Sequence, residues 1–238
     1  MSIEGKTVIV TGGFGALGRV VAETAAARGA SVAALDHAPA PPQGLQEKLG
    51  AKALVLGGLD LSSPAEAEKA MAAVKDKFGR VDALLNIAGG FVWETVEDGK
   101  AETLAETWDR MYAMNLKTAL NAARAALPFL IASGAGRIVN VGAESALRAN
   151  SGFGPYAASK SAVHRLTESL ADELKLKGVT VNAVMPSIID TPLNRRDMPK
   201  ADFSRWVKPA DLAAVMLFLA SDEAKAVTGA LIPVKGRV

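Results

Sequence analysis

Two side chains in the second half of the chain could move a proton together. Tyr156 and Lys160 stand four residues apart in the segment Tyr-Ala-Ala-Ser-Lys, and on a helix this spacing places the phenol and the ammonium on the same face. A free phenol has a pKa of about 10 and is a poor base at neutral pH, but a neighbouring positive charge favours the phenolate. The pair is therefore a candidate for proton transfer with a substrate.

A glycine-rich segment near the N-terminus could hold a dinucleotide. The segment Thr11-Gly12-Gly13-Phe14-Gly15-Ala16-Leu17-Gly18 follows an apolar run and opens an Ala-rich stretch. Glycines let the backbone approach a pyrophosphate, and a helix N-terminus offers free N–H groups to it. Asp36 ends the next apolar run, where an acid that binds the adenosine ribose hydroxyls is expected. A carboxylate there repels a 2′-phosphate, so the segment favours NAD over NADP.

The composition argues against several other chemistries. The 238 residues include 27 Lys+Arg and 25 Asp+Glu, with a net charge of +2, no cysteine and two histidines. Because no basic block is present, we expect no nucleic acid partner. Without thiols or a histidine cluster, we expect no disulfide and no metal site. The chemistry is then expected to depend on an organic cofactor and a small-molecule substrate.

Neither a membrane segment nor a leader is visible in the sequence. The longest stretches without a charged residue are 12 residues long, whereas a membrane helix needs about 20. At the N-terminus, Glu4 and Lys6 stand directly before a short apolar run, which is unlike a secretion signal. We therefore expect a cytoplasmic protein with no membrane contact.

Apolar runs and Ala-rich stretches alternate along the whole chain, which predicts a single-domain doubly wound α/β fold over residues 1–238. Runs that are apolar throughout are typical of a parallel sheet covered by helices on both faces. Seven strands are predicted at 7–11, 31–35, 53–56, 83–87, 137–141, 180–185 and 230–234. Helices are predicted at 16–28, 64–78, 101–132, 157–177 and 210–221, with Ser63 as an N-cap. Residues 190–207 show the weakest pattern and are predicted to form a substrate loop.

From end to end, the chain resembles the short-chain dehydrogenase/reductase family. Its TGGFGALG stands where the family has TGxxxGxG, its Asn86-Ile87-Ala88-Gly89 is similar to NNAG, and its Pro186 to Thr191 is similar to PGxxxT. The resemblance implies an NAD(P)-dependent oxidoreductase with catalytic Tyr156, Lys160 and Asn115. The implied cofactor-binding residues, which include the catalytic pair, are Gly12, Phe14, Leu17, Gly18, Asp36, Asp60, Leu61, Asn86, Ala88, Gly89, Tyr156, Lys160, Pro186, Ile189 and Thr191.

The chain departs from the family pattern at three positions. Ala16 and Ser187 replace glycines, and Ala143 occupies the position of the family's active-site serine. Ser145, two residues further on, could supply the missing hydroxyl. The absence of the serine is itself similar to the dihydropteridine reductase branch, as are VDALLNIAGGF, GPYAASKSAVHRLTESLA and the long segment 190–206.

Other candidate residues carry weaker signals. Trp93, Trp206 and especially Phe91 could stack on a planar substrate, whereas Trp108 is more typical of packing. His164 follows Lys160 by one helical turn and is more typical of a helix or interface than of catalysis. Arg195 and Arg196 could close over a substrate, but adjacent arginines in a polar loop are usually solvated.

These observations lead to one main hypothesis and two alternatives. The main hypothesis is hydride transfer between NAD(H) and a small carbonyl or alcohol, or a quinonoid pterin-like compound, with Tyr156 exchanging the proton and Lys160 lowering its pKa. The first alternative is a generic ketone or secondary-alcohol dehydrogenase, and the second is a dinucleotide sensor without catalysis. The resemblance also implies a homo-oligomer, a tetramer or dimer, built through helices 101–132 and 157–177.

Overall fold

The computed structural model describes residues 2–238, in which strands and helices alternate and the strands form one sheet. The strands are β1 (Thr7–Thr11), β2 (Ser31–Leu35), β3 (Leu54–Leu56), β4 (Ala83–Asn86), β5 (Gly136–Val141), β6 (Val179–Pro186) and β7 (Leu231–Val234). The helices are α1 (Ala16–Ala27), α2 (Leu45–Leu49), α3 (Pro64–Phe78), α4 (Ala101–Tyr112), α5 (Thr118–Ala132), α6 (Gly154–Leu174), α7 (Pro192–Asp197) and α8 (Pro209–Leu219).

All strand pairings in the sheet are parallel, and the order is β3-β2-β1-β4-β5-β6-β7. Every residue of β1, β4, β5 and β6 is buried, because helices cover both faces. One apolar core packs α1 and α8 on the sheet, and the other packs α3 and α5 on the opposite face. The predicted seven-stranded doubly wound fold is thus confirmed.

The strand order reverses direction at β1, and this reversal creates the crevice where open α/β sheets bind ligands. Thr11 at the end of β1 is in register with Leu35 of β2 and Asn86 of β4, and Asn86 is in register with Asn140 of β5. The loops that leave these strands therefore start side by side at one edge of the sheet. They carry most of the residues predicted to form the site.

Several predicted helix boundaries need correction. The predicted helix 101–132 is interrupted by a π-helical stretch, Ala113–Lys117, between α4 and α5. Helix α6 starts at Gly154 rather than 157, since Pro155 suits the first turn. Ser63 precedes α3 but makes no side-chain capping bond, α2 was not predicted, and residues 190–207 contain α7 and a 3₁₀ turn, Phe203–Arg205.

Two features are absent from residues 2–238. No helix among them is long and apolar enough to cross a membrane. Among the same residues, there is no group of three or more His, Asp or Glu side chains that could hold a metal ion.

A buried chain of hydrogen bonds joins β4, β5 and α6. The Asn86 side-chain amide donates to Asn140 Oδ1 at 2.9 Å, and Asn140 Nδ2 donates to Thr167 Oγ1 at 2.9 Å. Thr167 in turn donates to the Val163 carbonyl at 2.8 Å. Because all three side chains are buried, each relies on its protein partners for hydrogen bonding.

Replacement of Asn140 should reveal how much this chain contributes to stability. Asn140→Ala leaves the Asn86 amide without its Asn140 partner and Thr167 without its donor, so we expect the free energy of unfolding to fall by about 2–3 kcal/mol. Urea denaturation followed by circular dichroism measures the loss. The exposed Asn150→Ala is the control, with an expected change of at most about 0.5 kcal/mol. Equal stability of the two variants would contradict the prediction.

Candidate active site

The glycine-rich turn after β1 is packed so closely that a side chain would not fit at three positions, Gly12, Gly13 and Gly18. Gly12 has φ +65°, and a Cβ there would lie 2.9 Å from the Ala88 nitrogen. A Cβ on Gly18 would lie 2.0 Å from the Gly12 carbonyl oxygen. Ala16, by contrast, is the first residue of α1 and follows the N-cap Gly15, so its methyl group is accommodated. The backbone at the start of α1 thus stays open to a ligand.

Thr11 joins the loops that follow β1 and β4. Its hydroxyl oxygen accepts hydrogen bonds from the Ile87 and Ala88 amides, at 3.1 and 3.2 Å. The segment Asn86 to Gly89 is therefore held against the glycine-rich turn. Asn86 Nδ2 is directed into the sheet toward Asn140, while Asn86 Oδ1 is buried without a partner in the described part of the chain.

Asp36 closes the turn from the side of β2. Its Oδ2 accepts the Phe14 N–H at 2.9 Å, and its Oδ1 accepts the Ala38 N–H at 2.9 Å. The side chain of Phe14 is buried in the core. Asp36 remains partly exposed, and each carboxylate oxygen retains a lone pair for another donor.

Asp60 and Leu61, which follow β3, have different surroundings. Asp60 Oδ1 accepts bonds from the Ser62 amide and hydroxyl at 2.9 and 2.7 Å, and these bonds lower the pKa of Asp60. Leu61 is buried in the core, and its carbonyl accepts a bond from Asn121 Nδ2 at 3.1 Å. Of the two side chains, Asp60 is exposed to solvent and Leu61 is not.

Lys160 and Tyr156 lie one turn apart at the start of α6. Lys160 is buried, and its Nζ donates to the Val141 carbonyl at 2.7 Å. Burial lowers the pKa of Lys160 to about 8 and raises the pKa of Tyr156 to about 12. The shift of Tyr156 is opposite to the direction expected from the sequence, because burial removes water from the phenolate and so disfavours the charged form.

Asn115 lies in the π-helical stretch and holds the loop after β4. Its Nδ2 donates to the Gly90 carbonyl at 3.1 Å and to Ser159 Oγ at 2.9 Å, and its Oδ1 accepts the Gly90 N–H at 3.0 Å. A Cβ on Gly89 would lie 2.5 Å from Asn115 Oδ1 and 3.4 Å from Lys160 Nζ. The structure thus brings Asn115, Lys160 and this loop together. Irregular π-helical turns are frequent at functional sites.

Ala143, the residue at the position of the missing serine, is bonded to His164, which the sequence analysis did not assign to the site. The Ala143 amide donates to Nε2 of the buried His164 at 3.3 Å. Ser145 lies in the 3₁₀ turn Glu144–Ala146, and its hydroxyl makes no hydrogen bond to the described residues. The sequence signal for His164 was only its spacing of one turn from Lys160.

The segment after β6 is folded onto itself. Pro186 ends β6, and Ile189 forms a parallel bridge with Val207. Thr191 caps α7 by accepting the Asn194 N–H at 3.2 Å, and the Ile189 carbonyl accepts Asn194 Nδ2 at 2.8 Å. These contacts place the PSIIDT segment beside the carboxyl end of the sheet.

Within residues 190–207, charged and aromatic side chains pair with each other. Arg195 binds both carboxylate oxygens of Asp190, at 2.6 and 2.8 Å, and its guanidinium lies 4.6 Å from the centre of the Phe203 ring. Phe203 packs on the buried Trp206 with ring centres 4.8 Å apart. Arg195 and Trp206 therefore stabilise the segment, and Arg196 is exposed beside Asp197.

An exposed aromatic surface borders Tyr156. The Phe91 ring lies 5.0 Å from the Tyr156 ring and 4.9 Å from the Phe153 ring, measured between centres. Phe91 is 49% exposed and Trp93 is 58% exposed, which is unusual for large aromatic side chains. Trp93 Nε1 donates to the Ser151 carbonyl at 3.1 Å. Phe91, Trp93, Phe153 and Tyr156 are called the aromatic wall below.

The chain is similar to known proteins over most of its length. A family model described as short chain dehydrogenase matches residues 6–202. The 3-oxoacyl-(acyl-carrier-protein) reductase FabG of Vibrio cholerae is 32% identical over 244 residues, which cover 99% of this chain and 98% of that protein. The 2,3-dihydroxy-2,3-dihydro-p-cumate dehydrogenase of Pseudomonas putida is 34% identical over 250 residues, with 99% and 95% covered.

A solved structure matches the whole fold. The 3-ketoacyl-(acyl-carrier-protein) reductase of Brucella melitensis, complexed with NADH, superimposes with a TM-score of 0.87. It is 30% identical, and the match covers 99% of this chain and 98% of that one.

Proposed function

The chain belongs to the short-chain dehydrogenase family of oxidoreductases, and we propose that it is an NAD(H)-dependent reductase of a planar, conjugated carbonyl or quinonoid substrate such as a dihydropterin. The observation that carries the proposal is the aromatic wall beside Tyr156, together with Ala143 at the position of the family's serine. The cofactor supplies or accepts the hydride. The protein binds both reactants and handles the proton.

The residues of the crevice fit a dinucleotide. At Gly12 and Gly18 a Cβ would collide with neighbouring backbone atoms, so these glycines permit the tight turn that leads into α1. A pyrophosphate would bind at the N–H groups of the helix start. Asp36 would accept the ribose hydroxyls with its remaining lone pairs, and its charge would repel a 2′-phosphate. The NADH in the Brucella relative supports the same choice. The other residues proposed to contact the cofactor are Phe14, Leu17, Asp60, Leu61, Asn86, Ala88, Gly89, Pro186, Ile189 and Thr191.

Tyr156 is suited to donate a proton during reduction. With a pKa of about 12 its phenol is protonated at neutral pH, so it can protonate the reduced oxygen or nitrogen of the substrate. Lys160 would hold the nicotinamide ribose. Asn115 would hold a water that relays protons beyond Lys160. Its side-chain amide is already bonded to Gly90 and Ser159, so the water would bind to the remaining lone pair of the amide oxygen or to the Asn115 main chain.

The missing hydroxyl at Ala143 constrains the substrate. Loss of one donor to a developing oxyanion weakens its stabilisation by about 3 kcal/mol, unless Ser145 takes the role. A quinonoid substrate spreads the developing charge over its ring and suffers less from the loss. The partly exposed aromatic wall offers the flat apolar contact that such a ring needs.

Two alternatives have support of their own. The relatives named above act, by their names, on 3-oxoacyl groups and on a cyclic diol, which favours a general ketone or secondary-alcohol dehydrogenase. A dinucleotide sensor without catalysis needs only the crevice. The buried Lys160 and Asn115 beside Tyr156 argue against it, because a sensor does not require them.

We also infer a cytoplasmic homo-oligomer, a tetramer or dimer. Several large apolar side chains of α4, α5 and the π-helical stretch between them are exposed, which favours contact with a second copy. They are Trp108, Tyr112, Met114, Leu120 and Ile131.

The direct test of function is steady-state oxidation of NADH and, separately, of NADPH with quinonoid dihydropterin, ketones and quinones. We expect turnover of the pterin with NADH and at least about 10-fold lower kcat/KM with NADPH, because Asp36 repels the extra phosphate. The Tyr156→Phe variant should lose turnover by about 100-fold or more and keep its Kd for NADH. Turnover of ketones alone would favour the general dehydrogenase, and tight NADH binding without any turnover would favour the sensor.

A second prediction concerns the aromatic wall. Phe91→Leu removes the ring that faces both Tyr156 and the solvent, so we expect the KM for a planar substrate to rise about 10-fold, the value of one lost aromatic contact. The KM for a small aliphatic ketone should change by less than about 2-fold on the same grounds. Phe129→Leu, near the last turn of α5, is the control and should leave both KM values unchanged. Equal increases for the two substrates would refute a stacking role.

A further inference from the structure

The backbone that leaves β5 is held by two side chains of α6 that lie one turn apart. Lys160 Nζ donates to the Val141 carbonyl at 2.7 Å, and the Ala143 amide donates to His164 Nε2 at 3.3 Å. Between them, the Gly142 amide donates to the Val184 carbonyl of β6 at 2.9 Å. Two consecutive peptide groups, Val141–Gly142 and Gly142–Ala143, are thus fixed by α6 and β6, directly before the turn that carries Ser145.

His164 lies directly against this backbone. A Cβ on Gly142 would lie 2.3 Å from His164 Nε2 and 2.6 Å from its Cδ2. The backbone of Gly142 is outside the left-handed region, so its conformation does not require glycine. The nearness of the imidazole ring therefore explains why this position has no side chain.

The hydrogen bond requires a neutral imidazole. Nε2 accepts the Ala143 N–H, so the single ring proton belongs on Nδ1. Burial, together with the positive charges of Arg165 and Lys160, lowers the pKa of His164 to about 4. The acceptor is therefore available throughout the neutral range.

We propose that His164 is a positioning residue of the active site, which holds the Val141–Ala143 backbone so that Lys160 keeps its acceptor and the serine-free turn keeps its place. Without a serine hydroxyl to anchor the turn on the cleft side, the imidazole anchors it from α6. This inference rests on the proposed function, because Lys160 matters only if it serves cofactor and proton transfer.

Two substitutions separate the hydrogen bond from the bulk of the ring. His164→Leu removes the acceptor and retains most of the volume, whereas His164→Gln can place its Oε1 near the position of Nε2. We expect the leucine variant to lose about 10-fold in kcat, as for a small misplacement of reacting groups, with a several-fold higher Kd for NADH. The glutamine variant should recover most of both values.

Val163→Ala is the matched control. Val163 is buried on the same helix, and its apolar side chain cannot form a hydrogen bond to the turn. It should lower the unfolding temperature and leave kcat and the NADH Kd unchanged. The inference is overturned if His164→Leu behaves like Val163→Ala, or if a folded His164→Gln variant fails to recover. A wild-type enzyme without turnover would refute the proposed function instead, and the Kd for NADH would still test His164.

Discussion

The hydrogen bond from the buried Lys160 ammonium to the Val141 carbonyl ties α6 to the carboxyl end of β5, and the rest of the site is arranged around it. Every residue of β5 is buried, and Val141, whose carbonyl accepts the bond, is its last residue. Asn115 closes the arrangement from the side of β4 by holding Gly90. The proposed cofactor crevice and the proposed proton donor therefore lie at the same edge of the sheet.

Burial also determines the charge states at this point. It lowers the pKa of Lys160 to about 8 and raises that of Tyr156 to about 12, since a low-polarity surrounding disfavours any charged form. The chain on its own therefore keeps Tyr156 as an acid. To act as a base in the oxidative direction, the phenol needs additional positive charge, which an oxidised nicotinamide would bring.

The sequence predicted the sheet well and the irregular parts poorly. β1 and β2 have the predicted bounds, because continuous apolar runs are specific for buried parallel strands. The break at Ala113–Lys117 was missed, because it coincides with tertiary hydrogen bonds between Asn115, Gly90 and Ser159 that leave no local pattern. The motif residues lie at the carboxyl end of the sheet, and their role in a cofactor site stays a prediction. The direction of the Tyr156 pKa shift depends on burial, which spacing alone does not reveal.

We propose that burial raises the pKa of Tyr156 and that an oxidised cofactor lowers it, and a spectroscopic titration tests this most directly. The chain has only two tyrosines, Tyr112 and Tyr156, so phenolate absorbance in the wild type minus that in Tyr156→Phe isolates one group. We expect a pKa of about 12 for the protein alone and a value lower by about 2 units or more with saturating NAD⁺. A value near 10 without cofactor, or no change when NAD⁺ binds, would contradict the account.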